Sequence, residues 1–300
     1  MIRILSVSYP KDLQTSVLNL TVQQTNSNGS IVNNDHRAVM QTVALTFKNK
    51  QVMNTLVNID NKKIVIAANA RGHYSNKFNR AAKLATGYKE LENKLYRIAE
   101  RGISSNTEHA RCAIGCLLLM QTGIRIGNEA SAEGYMTIPH PNSKKEPEFV
   151  KTFGLTTLLP EHITTSKQIV NFDFTGKKQV NNTFRVRCKL MSSWLRTLSE
   201  MEMPTLLGIN DRQLTRFIKK YVGAQYCPKD FRTMRANIIA GKFVADNFVT
   251  VSKKKDFNAL LNQMYQTVSE ALNNTKGVCK KNYVSDLMPE YLMEKYFNKN

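Results

Sequence analysis

The order of apolar and polar positions divides the chain into two stretches of different period. In the first, Val17-Leu18-Asn19-Leu20-Thr21-Val22 and Thr42-Val43-Ala44-Leu45-Thr46-Phe47 alternate in part, and Lys62-Lys63-Ile64-Val65-Ile66-Ala67 follows a polar turn. A period near two places successive side chains on opposite faces of a strand, so residues 1–70 are predicted to be mainly β. Asn26-Ser27-Asn28-Gly29-Ser30 reads as a loop by composition. From about Lys77 to Arg101 the apolar residues fall at Leu84, Tyr88, Leu91, Leu95 and Ile98, which is helical spacing. The change of period sets a boundary near residues 72–90, giving domains 1–80 and 81–300.

The second stretch is mostly helical. Ser105-Asn106-Thr107-Glu108 has the pattern of a capping box ahead of an apolar helix that runs to Gln121. A polar stretch follows at 139–148, and then three strand-like runs at Gly154–Leu159, Ile169–Phe174 and Thr183–Cys188. The last two are separated by Thr175-Gly176-Lys177-Lys178, which puts Lys177 at the tip of a β-hairpin. Helical patterns return at about 190–200, 210–222, 229–246 and 255–272, the third opened by Pro228 at a first-turn position. The expected class is α+β: a small N-terminal antiparallel β domain followed by a mainly α-helical domain with a three-stranded β-sheet.

Charge changes this picture from a fold to a partner. Lys and Arg number 43 against 23 Asp and Glu, a net charge of +20 with 42% hydrophobic residues, in a chain of 300 residues. An excess of this size points to a polyanion, and nucleic acid ahead of a membrane surface, because no strongly amphipathic Lys-rich terminal helix is visible. Residues 1–90 carry 12 Lys/Arg against 4 Asp/Glu, so both stretches are expected to face it. The five cysteines, at 112, 116, 188, 227 and 279, include no CxxC pair; this suits a reducing compartment and argues against structural zinc. The longest apolar run, about Ala110–Met120, contains Arg111 and is too short to span a bilayer, and Met1-Ile2-Arg3-Ile4-Leu5 lacks the apolar stretch of a signal peptide.

The chemistry then narrows. Gly176-Lys177 is not a Walker A motif, because Asn171 stands at the first required glycine and Lys178 at the Ser/Thr. No H-E-x-x-H, no carboxylate cluster for a two-metal site and no dinucleotide loop is present, so neither cofactor nor metal is expected. What remains is an ordered set: Arg125 in Thr122-Gly123-Ile124-Arg125-Ile126-Gly127-Asn128-Glu129, Lys177 at the hairpin tip, Arg232 in Lys229-Asp230-Phe231-Arg232, and Tyr283. Singly, each has an ordinary reading: a surface arginine, a solvated turn lysine, a salt-bridged helix residue, one of 11 tyrosines. Together, permanent cations converging on one phosphate and a phenol beside them can cut a strand by transesterification without metal or ATP.

These residues, in this order, resemble the type IB DNA topoisomerases, especially the small poxvirus and bacterial enzymes. The Arg125 segment is similar to that family's first arginine motif, Phe153-Gly154-Leu155-Thr156-Thr157-Leu158 to the first strand of its small sheet, and Asn274-Thr275-Lys276-Gly277-Val278-Cys279-Lys280-Lys281-Asn282-Tyr283-Val284 to its nucleophile segment. The resemblance runs from about residue 60 to 290. It implies that a helical catalytic domain acts with the β domain as a monomeric clamp on duplex DNA, inside the cell or in a virion. It implies relaxation of supercoils through a 3′-phosphotyrosyl intermediate on Tyr283. Arg125 and Arg232 would hold the non-bridging oxygens, and Lys177 would protonate the leaving 5′-oxygen. Many relatives carry His nine residues before the tyrosine; here Asn274 stands there, able to donate one hydrogen bond but not to carry charge. Lys276 stands where proline is common, and 139–148 reads as an insertion. Arg71, His73 and Tyr74, together with Asn128, are the expected DNA contacts. A tyrosine recombinase shares this chemistry but has H-x-x-R where this chain has Lys229-x-x-Arg232; a DNA-binding protein without catalysis is the remaining alternative.

Overall fold

The computed structural model describes residues 77–137 and 146–297 with their side chains and, within residues 1–76, the backbone of five strands. In chain order the elements are β1 (Ile2–Val7), β2 (Leu20–Gln24), β3 (Thr42–Phe47), β4 (Lys50–Ile59), β5 (Lys62–Asn69), α1 (Lys77–Thr86), α2 (Tyr88–Ile103), α3 (Glu108–Thr122), α4 (Glu129–Glu133), β6 (Tyr135–Met136), β7 (Phe149–Val150), β8 (Ile163–Thr165), β9 (Ile169–Gly176), β10 (Val180–Arg187), α5 (Lys189–Ser199), α6 (Asp211–Tyr221), α7 (Pro228–Asn247), α8 (Lys254–Ala271), α9 (Lys276–Asn282) and α10 (Leu287–Tyr296). Helices and small antiparallel sheets in this mixture make the α+β class that the hydrophobic pattern predicts.

The chain forms two compact units. The first comprises Met1–Tyr88, Asn237–Val268 and Cys279–Asn300; the second comprises Lys89–Ala236 and Ser269–Val278. In the first unit β1 pairs with β2, and β3, β4 and β5 form an antiparallel sheet in that order. Helices α1 and α10 lie along β5. Aromatic rings join the end of α7 and the start of α8 to the end of α10: Phe248 lies 5.5 Å from Tyr296 and Phe257 5.9 Å from Phe297, centroid to centroid.

The second unit is built around α3. Ala110, Cys112, Ala113, Ile114, Cys116, Leu117, Leu118, Leu119 and Met120 are all buried, so this helix is apolar on nearly every side and is enclosed rather than amphipathic. It packs against α6 and β10. The sheet beside it has the order β10-β9-β8, fully antiparallel. Strand β9 alternates, with Val170, Phe172 and Phe174 buried and the residues between them exposed, and β10 answers with Phe184 and Val186. Leu118, Thr122 and Ile124 enclose, with Phe172 and Phe184, a gap with no room for a water, so the end of α3 meets the sheet through a dry joint.

Three local expectations are corrected. Gly154–Leu159 is not a strand: it holds a 3-10 turn at Leu155–Thr157, and the third strand of the sheet is β8, at Ile163–Thr165. The backbone amides of Leu155 and Thr156 donate to the carbonyls of Arg125 and Ile126 instead of to a strand partner. The helix expected over 77–101 is interrupted at Gly87, between α1 and α2. The N-cap of α3 is Thr107 rather than Ser105; its Oγ accepts from the Ala110 N–H at 3.2 Å, while Asn106 turns into the left-handed region at φ 47°. Arg71, His73 and Tyr74 lie outside the described residues, as does most of the 139–148 stretch.

Candidate active site

Arg125 stands on a loop that the backbone fixes from both sides. Helix α3 ends at Thr122 because Gly123 takes a left-handed conformation, φ 66°, and donates its N–H to the Leu119 carbonyl at 2.9 Å. The Leu155 N–H donates to the Arg125 carbonyl at 2.8 Å and the Thr156 N–H to that of Ile126 at 2.7 Å. Gly154 makes this pairing possible: a Cβ there would lie 2.5 Å from the backbone of Gly127. The motif at 122–129 and the one at 153–158 are therefore two halves of one structure. Beyond the loop, the Asn128 side-chain oxygen accepts from the Ser131 N–H at 3.2 Å and caps α4.

Arg232 is only 3% exposed. It lies in the second turn of α7, which opens at Pro228 with Asp230 accepting from the Cys227 N–H at 2.9 Å, the reach-back half of a capping box. The Arg232 guanidinium donates through Nη1 to the Gly123 carbonyl and through Nη2 to the Leu272 carbonyl, the latter at 2.6 Å. A buried guanidinium needs such acceptors, and here both are main-chain oxygens.

The segment after α8 brings these parts together. Helix α8 ends in a Schellman motif, in which Asn273 turns left-handed at φ 47°, its N–H reaches the Glu270 carbonyl at 3.1 Å, and the Asn274 N–H reaches that of Ser269 at 2.9 Å. Three consecutive residues then face three different elements. Leu272 accepts from Arg232, Asn273 Nδ2 donates to the Thr183 carbonyl on β10 at 3.1 Å, and Asn274 Oδ1 accepts from Arg125 Nη2 at 2.6 Å. Because a guanidinium only donates, the Asn274 oxygen must face Arg125 and its amino group must face away. That amino nitrogen is buried and has no hydrogen-bond partner among the described residues.

Lys177 is exposed at the hairpin tip, as the sequence predicts. Gly176 pairs with Val180, leaving a three-residue turn in which Lys178 and Gln179 are left-handed, φ 65° and 58°. Buried Asn182 folds across the turn and donates to the Val180 carbonyl at 2.6 Å. Gln179 donates to the Glu148 carboxylate at 3.4 Å. Below the hairpin, His162 Nδ1 accepts from the Leu159 N–H at 3.0 Å, and its ring lies 4.3 Å from that of Phe153; burial lowers its pKa.

Tyr283 belongs to the first unit and follows α9, 8% exposed. Asn237, on α7, holds the backbone on both sides of its neighbourhood: Nδ2 donates to the Tyr283 carbonyl at 2.8 Å, and Oδ1 accepts from the Ser285 N–H at 3.2 Å. Asn237 was not among the residues that the sequence suggests. Its signal is a lone amide in the apolar run Ala236-Asn237-Ile238-Ile239, five residues after Arg232. Burial raises the phenol pKa of Tyr265 to about 12, with the Asp286 carboxylate adding to the shift.

The structure thus joins Arg125, Arg232 and Asn274 within one unit and links β10 of the Lys177 hairpin to them. Among the described residues no cluster of three or more His, Cys, Asp or Glu could hold a metal ion, and no helix is long and apolar enough to cross a membrane. The chain is similar to the DNA topoisomerase 1B of Acanthamoeba polyphaga mimivirus, 24% identical over 164 residues that cover 49% of this chain and 48% of that protein. It therefore spans about half the length of the curated relative it matches. The model of the eukaryotic DNA topoisomerase I catalytic core matches residues 68–298, a span that contains every cation of the site, Asn274 and Tyr283. The chain belongs to that family, the catalytic core of eukaryotic DNA topoisomerase I.

Proposed function

We propose that this protein relaxes supercoiled duplex DNA by transient cleavage of one strand, without ATP or a metal ion, with Tyr283 as the nucleophile. The observation that carries the reading is the convergence on residues 272–274. Two guanidiniums are anchored within two residues of each other in sequence, at the Leu272 carbonyl and at Asn274 Oδ1, and a buried amide donor beside them has no partner among the described residues. A non-bridging phosphate oxygen would satisfy that donor, and two fixed cations would stabilise the charge that builds on the phosphate.

The step is a transesterification. The Tyr283 oxygen bonds to phosphorus and loses its proton to solvent. The bond from phosphorus to the 5′-oxygen breaks, and that oxygen takes a proton from Lys177 Nζ. A phenol with a pKa of about 10 is mostly protonated at neutral pH, and the guanidiniums favour the phenolate as it forms. The product is a 3′-phosphotyrosyl strand and a free 5′-hydroxyl, which can rotate. Reversal reseals the strand, because the energy of the phosphodiester is kept in the covalent link. Arg71, His73, Tyr74 and Asn128 are proposed to contact the duplex, with the N-terminal β-rich domain and the helical domain acting as a monomeric clamp. The basic surface would make binding steeply salt-dependent. The protein would work wherever its DNA is held, within the cell or a virion.

A denaturing gel of the protein with labelled duplex tests this. Wild type should form a covalent adduct on the 3′ side of the nick in EDTA and without ATP, and should relax plasmid. Tyr283→Phe should form none while binding DNA as before. An adduct in Tyr283→Phe, or joining of paired sites instead of relaxation, would overturn the reading.

A further inference from the structure

We infer that Asn273 is a positioning residue for the general acid, tying the hairpin that carries Lys177 to the segment that holds the two arginines. The inference rests on the reading of Lys177 as the acid. Leu272 meets Arg232 through its carbonyl and Asn274 meets Arg125 through its side chain, whereas the Asn273 side chain turns to a third element. Its Nδ2 donates instead to the Thr183 carbonyl, 90 residues away in sequence, on β10. Strand β10 is an edge strand of its sheet, so its outer backbone groups have no strand partner among the described residues and are open to such a tie. The backbone of Asn273 is held separately by the Schellman hydrogen bonds, and its left-handed φ of 47° is one that asparagine and glycine tolerate. The side chain therefore contributes little to ending α8. Its side-chain contact serves the hairpin.

The hairpin needs such a tie. Its tip is exposed and carries two successive left-handed residues, and the Gln179 contact to Glu148 is long, at 3.4 Å. The acid must meet a leaving oxygen on the phosphate that Arg125 and Asn274 hold. The side chain of Asn273 is adjacent to that holder in sequence and bonded to the strand that supplies the acid. Removing it should leave phosphate binding and the nucleophile as they are, and should blur only the approach of Lys177.

A leaving-group substitution isolates this effect. Replacing the bridging 5′-oxygen by sulfur gives a leaving thiolate, which departs without a proton because a thiol is far more acidic than an alcohol, the cysteine thiol having a pKa of about 8.5. Asn273→Gly keeps the left-handed turn and removes the tie. In single-turnover adduct formation it should be slowed about five-fold on the oxygen-linked strand, the kinetic equivalent of one lost hydrogen bond. On the sulfur-linked strand it should match wild type, and its DNA affinity should be unchanged. Asn273→Asp, which keeps the turn but replaces the donor by an acceptor, should behave the same way and removes the added flexibility of glycine as the cause. Equal slowing on both strands, no slowing on the oxygen-linked strand, or wild-type rates in Asn273→Asp would overturn the proposal. Lys177→Arg run alongside separates the two readings. If sulfur does not rescue it, Lys177 is not the acid and the tie falls with it. If sulfur rescues Lys177→Arg but not Asn273→Gly, only the tie falls.

Discussion

The loop that carries Arg125 and the turn that carries Lys177 hold two cations of one proposed site in opposite ways. Around Arg125 the backbone is fixed by hydrogen bonds from Gly123, Leu155 and Thr156, by the approach of Gly154 to Gly127, and by the bond from the guanidinium to Asn274. Lys177 stands in solvent on a three-residue turn with two left-handed neighbours. The difference matches two tasks. A group that stabilises charge gains by being rigid before the reaction, since reorganisation then costs little. A group that delivers a proton and takes it back needs freedom to move and a neutral form within reach, which lysine has and arginine lacks.

Exchanging the two cation types gives the sharpest break in that contrast. Lys177→Arg keeps the charge and loses the transferable proton, so adduct formation should fall by about 10²–10⁴-fold on an oxygen-linked strand. A sulfur leaving group should restore most of it. Arg125→Lys should fall by about 10²–10³-fold, the scale of one lost transition-state donor, and sulfur should not rescue it. Gly154→Ala attacks the rigid side without touching a cation. Its methyl would meet Gly127 backbone at 2.5 Å and displace the Arg125 loop, and a displacement of about 1 Å lowers the rate by about 10²-fold. Chemical denaturation should also show a stability loss of about 1–3 kcal/mol.

The exposed side responds less. Lys178→Gly relieves a left-handed lysine at φ 65° and should raise stability by up to about 1 kcal/mol in urea titrations, with the single-turnover rate unchanged. Below the hairpin, burial lowers the pKa of His162 against the smaller opposing pull of Glu161 and Asp173. The unfolded chain then binds that proton more readily than the folded one. The stability His162 contributes is complete above its ordinary pKa of about 6.5 and is lost as pH falls below it. Melting temperatures should fall between pH 7.5 and 5.5, and less so in His162→Gln, which is the smallest of these effects.

What the sequence revealed follows the same division. Helices α5, α6, α7 and α8 were legible because their patterns are helical, α3 because a capping pattern precedes a long apolar run, and the Lys177 turn because a polar tip separates two strand-like runs. The 154–159 segment misled because Leu155, Leu158 and Leu159 look like strand residues, while the partners of its amides are carbonyls about 30 positions earlier, on the arginine loop. The roles of Asn237 and Asn273 were invisible for a related reason. Each is a single amide whose meaning lies in a backbone atom 46 or 90 residues away, and no local pattern encodes such a bond. Asn274 was found because a family motif marks its position, but its unpartnered amino group could be seen only in three dimensions.

Two oxygens that hold Arg232 belong to the main chain, at Gly123 and Leu272. Every amino acid offers that same oxygen, so no substitution at either position can delete the acceptor; only a change in the path of the backbone can move it. An anchor of this kind is robust to sequence drift. It gives a physical route by which a chain can keep a buried arginine in place while the side chains around it change.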